Sequence, residues 1–314
     1  MKIIDLHCDT LSLLEEDKKY SLYKNCGHVD LLRLKKANVI AQCFAIFLPQ
    51  DNNKSDTANQ NFKLLKKQYK IFKKQMEVWA PLIAQTENAE QINKNNLENK
   101  ISAILTVENG DFIGNDLNRI NLIKSMGVKM LTLVWNFENS LAYPNSNGVT
   151  NLSPLKPLGK QAVEKLNSLD IIIDVSHLNY GGFWDVCKIS KKPFVASHSC
   201  CDALFHHPRN LDDTQLRAIA DCGGVVGINF YADFMKPPPN ATFISDVIAQ
   251  AKHIKNVAGI DAISFGSDFD GMDSLLQFND CSGYNMIVDE LLKHFTYNEC
   301  EKICYKNALR VFEN

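Results

Sequence analysis

The sequence predicts an α/β chain folded as a (β/α)8 TIM barrel. Three observations predict it. Eight short apolar runs alternate with helical stretches along the chain. The longer runs are almost continuously apolar, as parallel strands covered on both faces are. No G-x-G-x-x-G follows a strand, so the alternative, a doubly wound open sheet, lacks its fingerprint. With no linker rich in Pro, Gly or Ser and no internal repeat, residues 1–314 read as a single barrel domain with C-terminal helices.

The first run, residues 2–10, passes through His7-Cys8-Asp9. On a strand, residues two apart share a side, so His7 and Asp9 face one way and Cys8 the other. A helical stretch over 30–36 leads to the second strand, Val39–Phe47, and then to a polar loop over 49–55. Phe62, Leu65, Tyr69, Phe72, Met76 and Trp79 recur at threes and fours, which predicts a helix with its lysines on the solvated face. Residues 87–100 read as a short helix and turn, and Ile101–Glu108 as the third strand, stopped by Asn109-Gly110. A helix over 118–126, with Gly127 as its stop, precedes a fourth strand over 128–134 that runs into Trp135-Asn136. Residues 137–154 are a loop rich in Asn, Ser and Pro, of a length often associated with function.

A helix over 158–169 leads to a fifth strand over 171–176, ending in His177. A helix over 183–189 leads to a sixth strand over 193–197, ending in His198. Asp212 or Asp213 caps a helix over 212–221. The seventh strand covers 224–229, a helix follows over 243–257, and the eighth strand, 263–267, ends in Asp268. Helices over 283–294 and 298–312 close the chain.

Composition narrows the function. The chain is 45% hydrophobic and 22% charged, with net charge −2. That is an ordinary globular balance, without the basic clusters that nucleic acid requires. Its 10 cysteines form no C-x-x-C pair and read as free thiols of a reducing compartment. No signal peptide, no membrane span and no lipid-anchor tail is legible, so the expected location is cytoplasmic with no membrane anchor.

In a barrel, all strand C-termini meet at one mouth, where active sites of this fold sit. The residues falling there are His7, Asp9, Glu108, His177, His198 and Asp268. Nitrogen and carboxylate ligands without thiolates suit zinc, and also manganese, iron or cobalt. Two such metals would share a hydroxide as nucleophile, with Asp268 beside it as general base and later as proton donor to a leaving amine. The chemistry indicated is hydrolysis of an amide or related bond.

The set Ile4-Asp5-Leu6-His7-Cys8-Asp9-Thr10, Val107-Glu108-Asn109-Gly110, Ile173-Asp174-Val175-Ser176-His177, Ser197-His198-Ser199 and Gly266-Ser267-Asp268-Phe269-Asp270-Gly271 resembles the membrane (renal) dipeptidase family, peptidase family M19 of the amidohydrolase superfamily. His28-Val29-Asp30-Leu31, Arg209-Asn210-Leu211 and Asn229-Phe230-Tyr231 extend the likeness nearly end to end. The resemblance implies two zinc ions, one held by His7, Asp9 and Glu108 and the other by Glu108, His177 and His198. It implies Asp268 as acid/base, Arg209 as the fork that holds a dipeptide's carboxylate, and Tyr231 as pocket wall. It also carries a small dipeptide as substrate and a homodimer as expectations.

One position departs from the pattern. The family's best-known members place a histidine after the fourth strand that helps bind substrate and the tetrahedral intermediate; here Trp135 stands there. An indole N–H donates one hydrogen bond but carries no positive charge. The change bears on rate and substrate rather than on metal, and Asn136 is a candidate substitute donor. Two rivals to a dipeptidase follow: a metal-dependent hydrolase of another small amide, lactam or lactone, and a non-catalytic barrel that binds a small ligand.

Other chemistry-bearing residues read as structural. His28 and Asp30 precede a strand instead of ending one, His253 and His294 lie on helices, and Cys8, Cys200 and Cys201 suit buried thiols. Asp270-Gly271 reads as a turn at the mouth and lacks calcium-loop spacing. His206 and His207 lie in a loop near the mouth. Asp5 and Asp174, inside strands, are either partners of metal-binding histidines or hydrogen-bonded core carboxylates.

Overall fold

The computed structural model describes residues 1–16, 20–50, 56–145 and 151–313. In chain order its strands are β1 (Ile3–Asp5), β2 (Val39–Phe47), β3 (Ile83–Gln85), β4 (Ile101–Glu108), β5 (Val128–Thr132), β6 (Ile172–Asp174), β7 (Ala196–Ser199), β8 (Val226–Ile228), β9 (Ala241–Thr242), β10 (Ile263–Phe265) and β11 (Leu275–Leu276). Eight of them run side by side in the order β6-β5-β4-β2-β1-β10-β8-β7. Every pairing is parallel. The ring closes where Asp174 bridges Val195. There Val175 N donates to Val195 O at 2.8 Å and Val195 N to Ile173 O at 3.0 Å. This is the (β/α)8 barrel that the alternation predicts.

Apolar packing follows the barrel logic. Ile4, Ala41, Ile104, Met130 and Ile172, from five barrel strands, form one buried cluster with Val311 and Phe312 of the C-terminus. The chain end plugs the face opposite the site: Asn307 Nδ2 donates to Ile263 O at the start of β10, at 2.8 Å. A second, larger cluster packs the outer faces of the strands against the helices, including Leu65, Phe72 and Met76 of the helix Thr57–Val78. That face is the one the threes-and-fours spacing marks out. Asp212 caps its helix in a capping box with Gln215, and Gly127 ends its helix at φ 77°.

The differences lie in short elements. β3, β9 and β11 are two or three residues long and take their place by pairing with neighbours rather than from an apolar run. The first strand stops at Asp5, and the chain is already helical at Thr10, with Leu11 and Leu14 buried. The fourth stops at Thr132. The closing helix is two segments, Tyr297–Glu301 and Asn307–Val311, joined by a π-helical turn. Residues 51–55 and 146–150 of the two predicted loops lie outside the described residues.

Candidate metal centre

Barrel closure brings the strand ends into one buried group. His7 and Asp9 follow β1, Glu108 ends β4, His177 follows β6, and His198 lies in β7. All five are buried. Glu108 reaches both halves of the group. Its Oε2 lies 3.4 Å from His7 Nε2, while its Oε1 lies 3.0 Å from His177 Nε2 and 3.7 Å from His198 Nε2. His7 Nε2 is 3.2 Å from Asp9 Oδ2 and 3.8 Å from Asp268 Oδ1. His7, Glu108 and His198 offer ligand atoms within 4.8 Å of one another, as do His7, Asp9 and Asp268.

The ring nitrogens show what this group is suited to hold. His177 Nδ1 lies 2.9 Å from Asn136 Oδ1. An amide oxygen only accepts, so Nδ1 carries the proton. His198 Nδ1 lies 2.8 Å from Ser197 Oγ. That hydroxyl already donates to Asp174 Oδ2 at 2.6 Å, so it accepts from His198. Both histidines therefore point a bare Nε2 at the other, 3.0 Å away, and at the Glu108 carboxylate. Lone pairs converging in a buried space repel unless a cation sits among them. Asp9 Oδ1 is buried as well and has no hydrogen-bond partner among the described residues. The residues fit a metal.

The charge balance agrees. Burial, then Asp9, pushes Glu108 up to about 7. Burial works against a charged His7, but Asp9 and Glu108 overcome it and hold that imidazole well above its usual value. His177 and His198 are held well below theirs, first by burial and then by the Arg209 and His7 charges. The group is a carboxylate-rich pocket with two neutral imidazoles, which is how neutral ligands are presented to a divalent cation.

The site opens into a cavity of about 880 Å³ lined by Asp9, Glu108, Trp135, Arg209, Tyr231 and Asp268 among others. Asp268 Oδ2 accepts from Asn229 Nδ2 at 3.0 Å, and burial raises its pKa. Arg209 is buried, donates from Nη2 to His198 O at 3.2 Å, and leaves Nε without a partner among the described residues. Tyr231 OH donates to Asp233 at 3.1 Å. Trp135 packs edge-on against Phe47, ring centroids 4.9 Å apart, and 6.4 Å from the His177 ring.

His177 and Asp268 both take positive φ, 67° and 62°. That region is uncommon outside glycine and concentrates at functional sites. Sequence spacing carries no sign of it. The sequence places Gly271 in a turn at the mouth but carries no sign of its contact with Asp9, nor of the Ser197 contact with the His198 ring. Asn136, a candidate donor by its place after the fourth strand, has a further role: its side-chain oxygen accepts from His177 Nδ1. Gly271 packs so closely that an added Cβ would lie 2.1 Å from Asp9 Oδ2.

The residues set aside have plain partners. Asp30 caps the helix Leu31–Lys36 and pairs with Arg33 at 2.8 Å. His28 N donates to Asp270, whose other oxygen accepts from Thr10 Oγ1 at 2.6 Å, so the Asp270 turn latches two mouth loops together. His253 pairs with Asp213, His294 with Glu290 and His206 with Asp202. His207 lines the cavity and accepts from Arg209 N at 3.1 Å. Cys8 points away from the site, its Sγ 3.3 Å from Cys43 O.

A (β/α)8 barrel with buried imidazoles and carboxylates gathered at its mouth defines the class, a barrel equipped to hold metal. The chain belongs to the membrane dipeptidase family, peptidase family M19, whose sequence profile matches residues 1–314. It is 28% identical over 327 residues to an uncharacterized dipeptidase of Schizosaccharomyces pombe (strain 972), covering 99% of this chain and 80% of that one. Its fold matches the solved structure of dipeptidase AC, a family M19 metallopeptidase, at TM-score 0.93, 25% identity and coverage of 100% and 98%. It also matches a metallopeptidase of Rhodobacter sphaeroides bound to a phosphinate mimic of the dipeptide L-Ala-D-Ala, at TM-score 0.92, 24% identity and coverage of 100% and 99%. Among the described residues, no helix is long and apolar enough to cross a membrane.

Proposed function

We propose that this chain is a two-zinc dipeptidase. The observation that carries the reading is the reach of Glu108, with one carboxylate oxygen toward His7 and the other toward His177 and His198. His7, Asp9 and Glu108 would hold one ion, and Glu108, His177 and His198 the other. Such a pair supplies Lewis-acid activation of water and of the scissile carbonyl.

The chain's own residues do the rest. Asp268, steadied by Asn229, takes a proton from the attacking water and returns it to the leaving amine. Its raised pKa suits that exchange. Arg209, which lines the cavity, is the guanidinium fork for the substrate's terminal carboxylate. Family membership and the fold likeness to a structure holding a dipeptide mimic support the substrate class. The 10 free thiols suit a reducing, cytoplasmic setting.

Trp135 favours a second reading, the same chemistry on another small amide or lactam. The indole supplies no cationic donor where the family's best-known members have histidine. The test is metal analysis of purified protein, with hydrolysis of L-Xaa-L and L-Xaa-D dipeptides before and after chelation. About two zinc equivalents with chelator-sensitive cleavage supports the dipeptidase. Two equivalents without cleavage moves the reading to another amide. No metal, even after reconstitution, removes the centre.

A further inference from the structure

Two buried carboxylates in the barrel wall repeat one arrangement. Asp174, the last residue of β6, accepts Ser197 N at Oδ1, 2.9 Å, and Ser197 Oγ at Oδ2, 2.6 Å. Asp5, the last residue of β1, accepts Ser267 N at Oδ1, 2.9 Å, and Ser267 Oγ at Oδ2, 2.6 Å. In each, Oδ1 also takes the backbone N–H two residues on, Ser176 at 2.9 Å and His7 at 3.3 Å. All four clamp side chains are fully buried. Each serine immediately precedes a residue of the candidate site, His198 or Asp268, on the adjacent barrel segment.

The clamps differ in what their hydroxyls touch. Ser197 Oγ reaches the His198 ring, at Nδ1, 2.8 Å. Ser267 Oγ instead lies 3.1 Å from His7 O, and Phe269 N donates to it at 3.2 Å, so beyond the Asp5 carboxylate it meets the backbone of His7 and Phe269 instead of a histidine ring. A carboxylate that consumes the hydroxyl's proton leaves that oxygen only able to accept from the imidazole. The ring is then committed to carrying its proton on Nδ1 and a lone pair on Nε2. Asp174 is itself anchored by a fourth donor, Thr132 Oγ1, at 2.6 Å.

We propose that Ser197, backed by Asp174, is a positioning residue that sets the His198 tautomer and with it the affinity of one of the two metal positions. We propose the Asp5–Ser267 clamp as its counterpart, which places the backbone of His7 and Asp268 and leaves ring tautomers alone. The inference rests on the metal-centre reading. In Ser197→Ala the Nδ1–H loses its acceptor, and the tautomer with the proton on Nε2, where a metal would bind, is no longer disfavoured. Loss of such a partner typically weakens metal binding by about 10- to 100-fold.

The test compares the parent with Ser197→Ala, Ser197→Thr and Ser267→Ala. Nitrogen-15 histidine spectra of the metal-stripped proteins report the His198 tautomer, and zinc titration against a chromophoric chelator reports affinity. Expected is an Nδ1–H signature in the parent and Ser197→Thr, with a shifted or mixed signature in Ser197→Ala. Expected also is one of two zinc equivalents weakened in Ser197→Ala, while Ser267→Ala, whatever it does to zinc affinity, keeps the parent's Nδ1–H signature at His198. Thermal melts of the stripped proteins identify a variant that has merely unfolded, and the threonine variant then carries the comparison through its hydroxyl. Unchanged tautomer and unchanged zinc affinity in a folded Ser197→Ala would overturn the inference. Absence of zinc binding in the parent would instead overturn the metal-centre reading.

Discussion

His177 Nε2 and His198 Nε2 face each other at 3.0 Å. Each ring has its proton on the far nitrogen, held by Asn136 or Ser197. The near nitrogens converge with Glu108 Oε1, so a metal ion or a proton on Glu108 must separate their lone pairs.

Metal uptake should therefore be coupled to protons in a particular way. The two histidines are held neutral, so they release none on loading. Glu108, pushed up to about 7, and His7, held well above its usual value, do release them. Because a protonated Glu108 competes with metal, affinity should fall as pH drops through about 7. Titration calorimetry at pH 6 in buffers of different ionisation heat should show proton release. A result of no release would mean that the empty site already holds Glu108 ionised and His7 neutral.

Gly271→Ala should damage the centre without replacing a ligand. The new Cβ would fall 2.1 Å from Asp9 Oδ2 and 2.7 Å from Asp268 Oδ1, so both carboxylates must give way. Weakened binding of one metal equivalent and a loss of turnover are expected, with the barrel's circular dichroism unchanged. Full metal content and full activity would mean that the mouth loop shifts freely.

Trp135→His should change turnover while leaving metal content alone. The position lies beside the His177 ring but supplies no atom to the buried cluster. A histidine there restores the donor on which the family's best-known members rely for the tetrahedral intermediate, and oxyanion contacts of this kind are worth about 10²- to 10³-fold in kcat. Equal kcat in mutant and parent would remove the position from transition-state binding.

Lys129→Met should stabilise the protein at pH 7. Lys129 lies at the start of β5, near the plugged end of the barrel, with Nζ 3.2 Å from Asp170 O. Burial lowers its pKa from 10.5 to about 8. The folded pKa lies below the unfolded one, so the charged form costs stability below pH 8. That cost fades as pH rises from about 8 to 10.5. Discounted for solvent screening, the gain should be about 1–2 kcal/mol at pH 7 and shrink over that window. Urea melts at pH 7 and pH 10 would show it; a gain that does not shrink with pH would assign the effect to packing instead of charge.

Much of this was legible because it depends on local chemistry and period. Val39–Phe47 and Ile101–Glu108 read as buried strands from continuous apolarity, and the helix Thr57–Val78 from its threes and fours. Asp212, with Asp213 as the alternative, read as a helix cap from its place at the start of a helical run. The residues that gather at the mouth could be named because parallel strands all end on one side of a barrel. β3, β9 and β11 could not be read, since two or three residues hold no period and exist only through their partners.

By itself, then, the order of residues determined the barrel, the identity of the side chains at its mouth and the face each strand buries, because alternation and apolar period act between near neighbours. Only the tertiary structure decided what those side chains do to one another. Ser197 and Asp174 are 23 positions apart, and Ser267 and Asp5 are 262 apart. Whether a hydroxyl's proton is already spent, and so which imidazole nitrogen is left bare, depends on contacts that barrel closure alone creates. The same holds for Gly271, whose want of a side chain acquires meaning only once Asp9 lies against it.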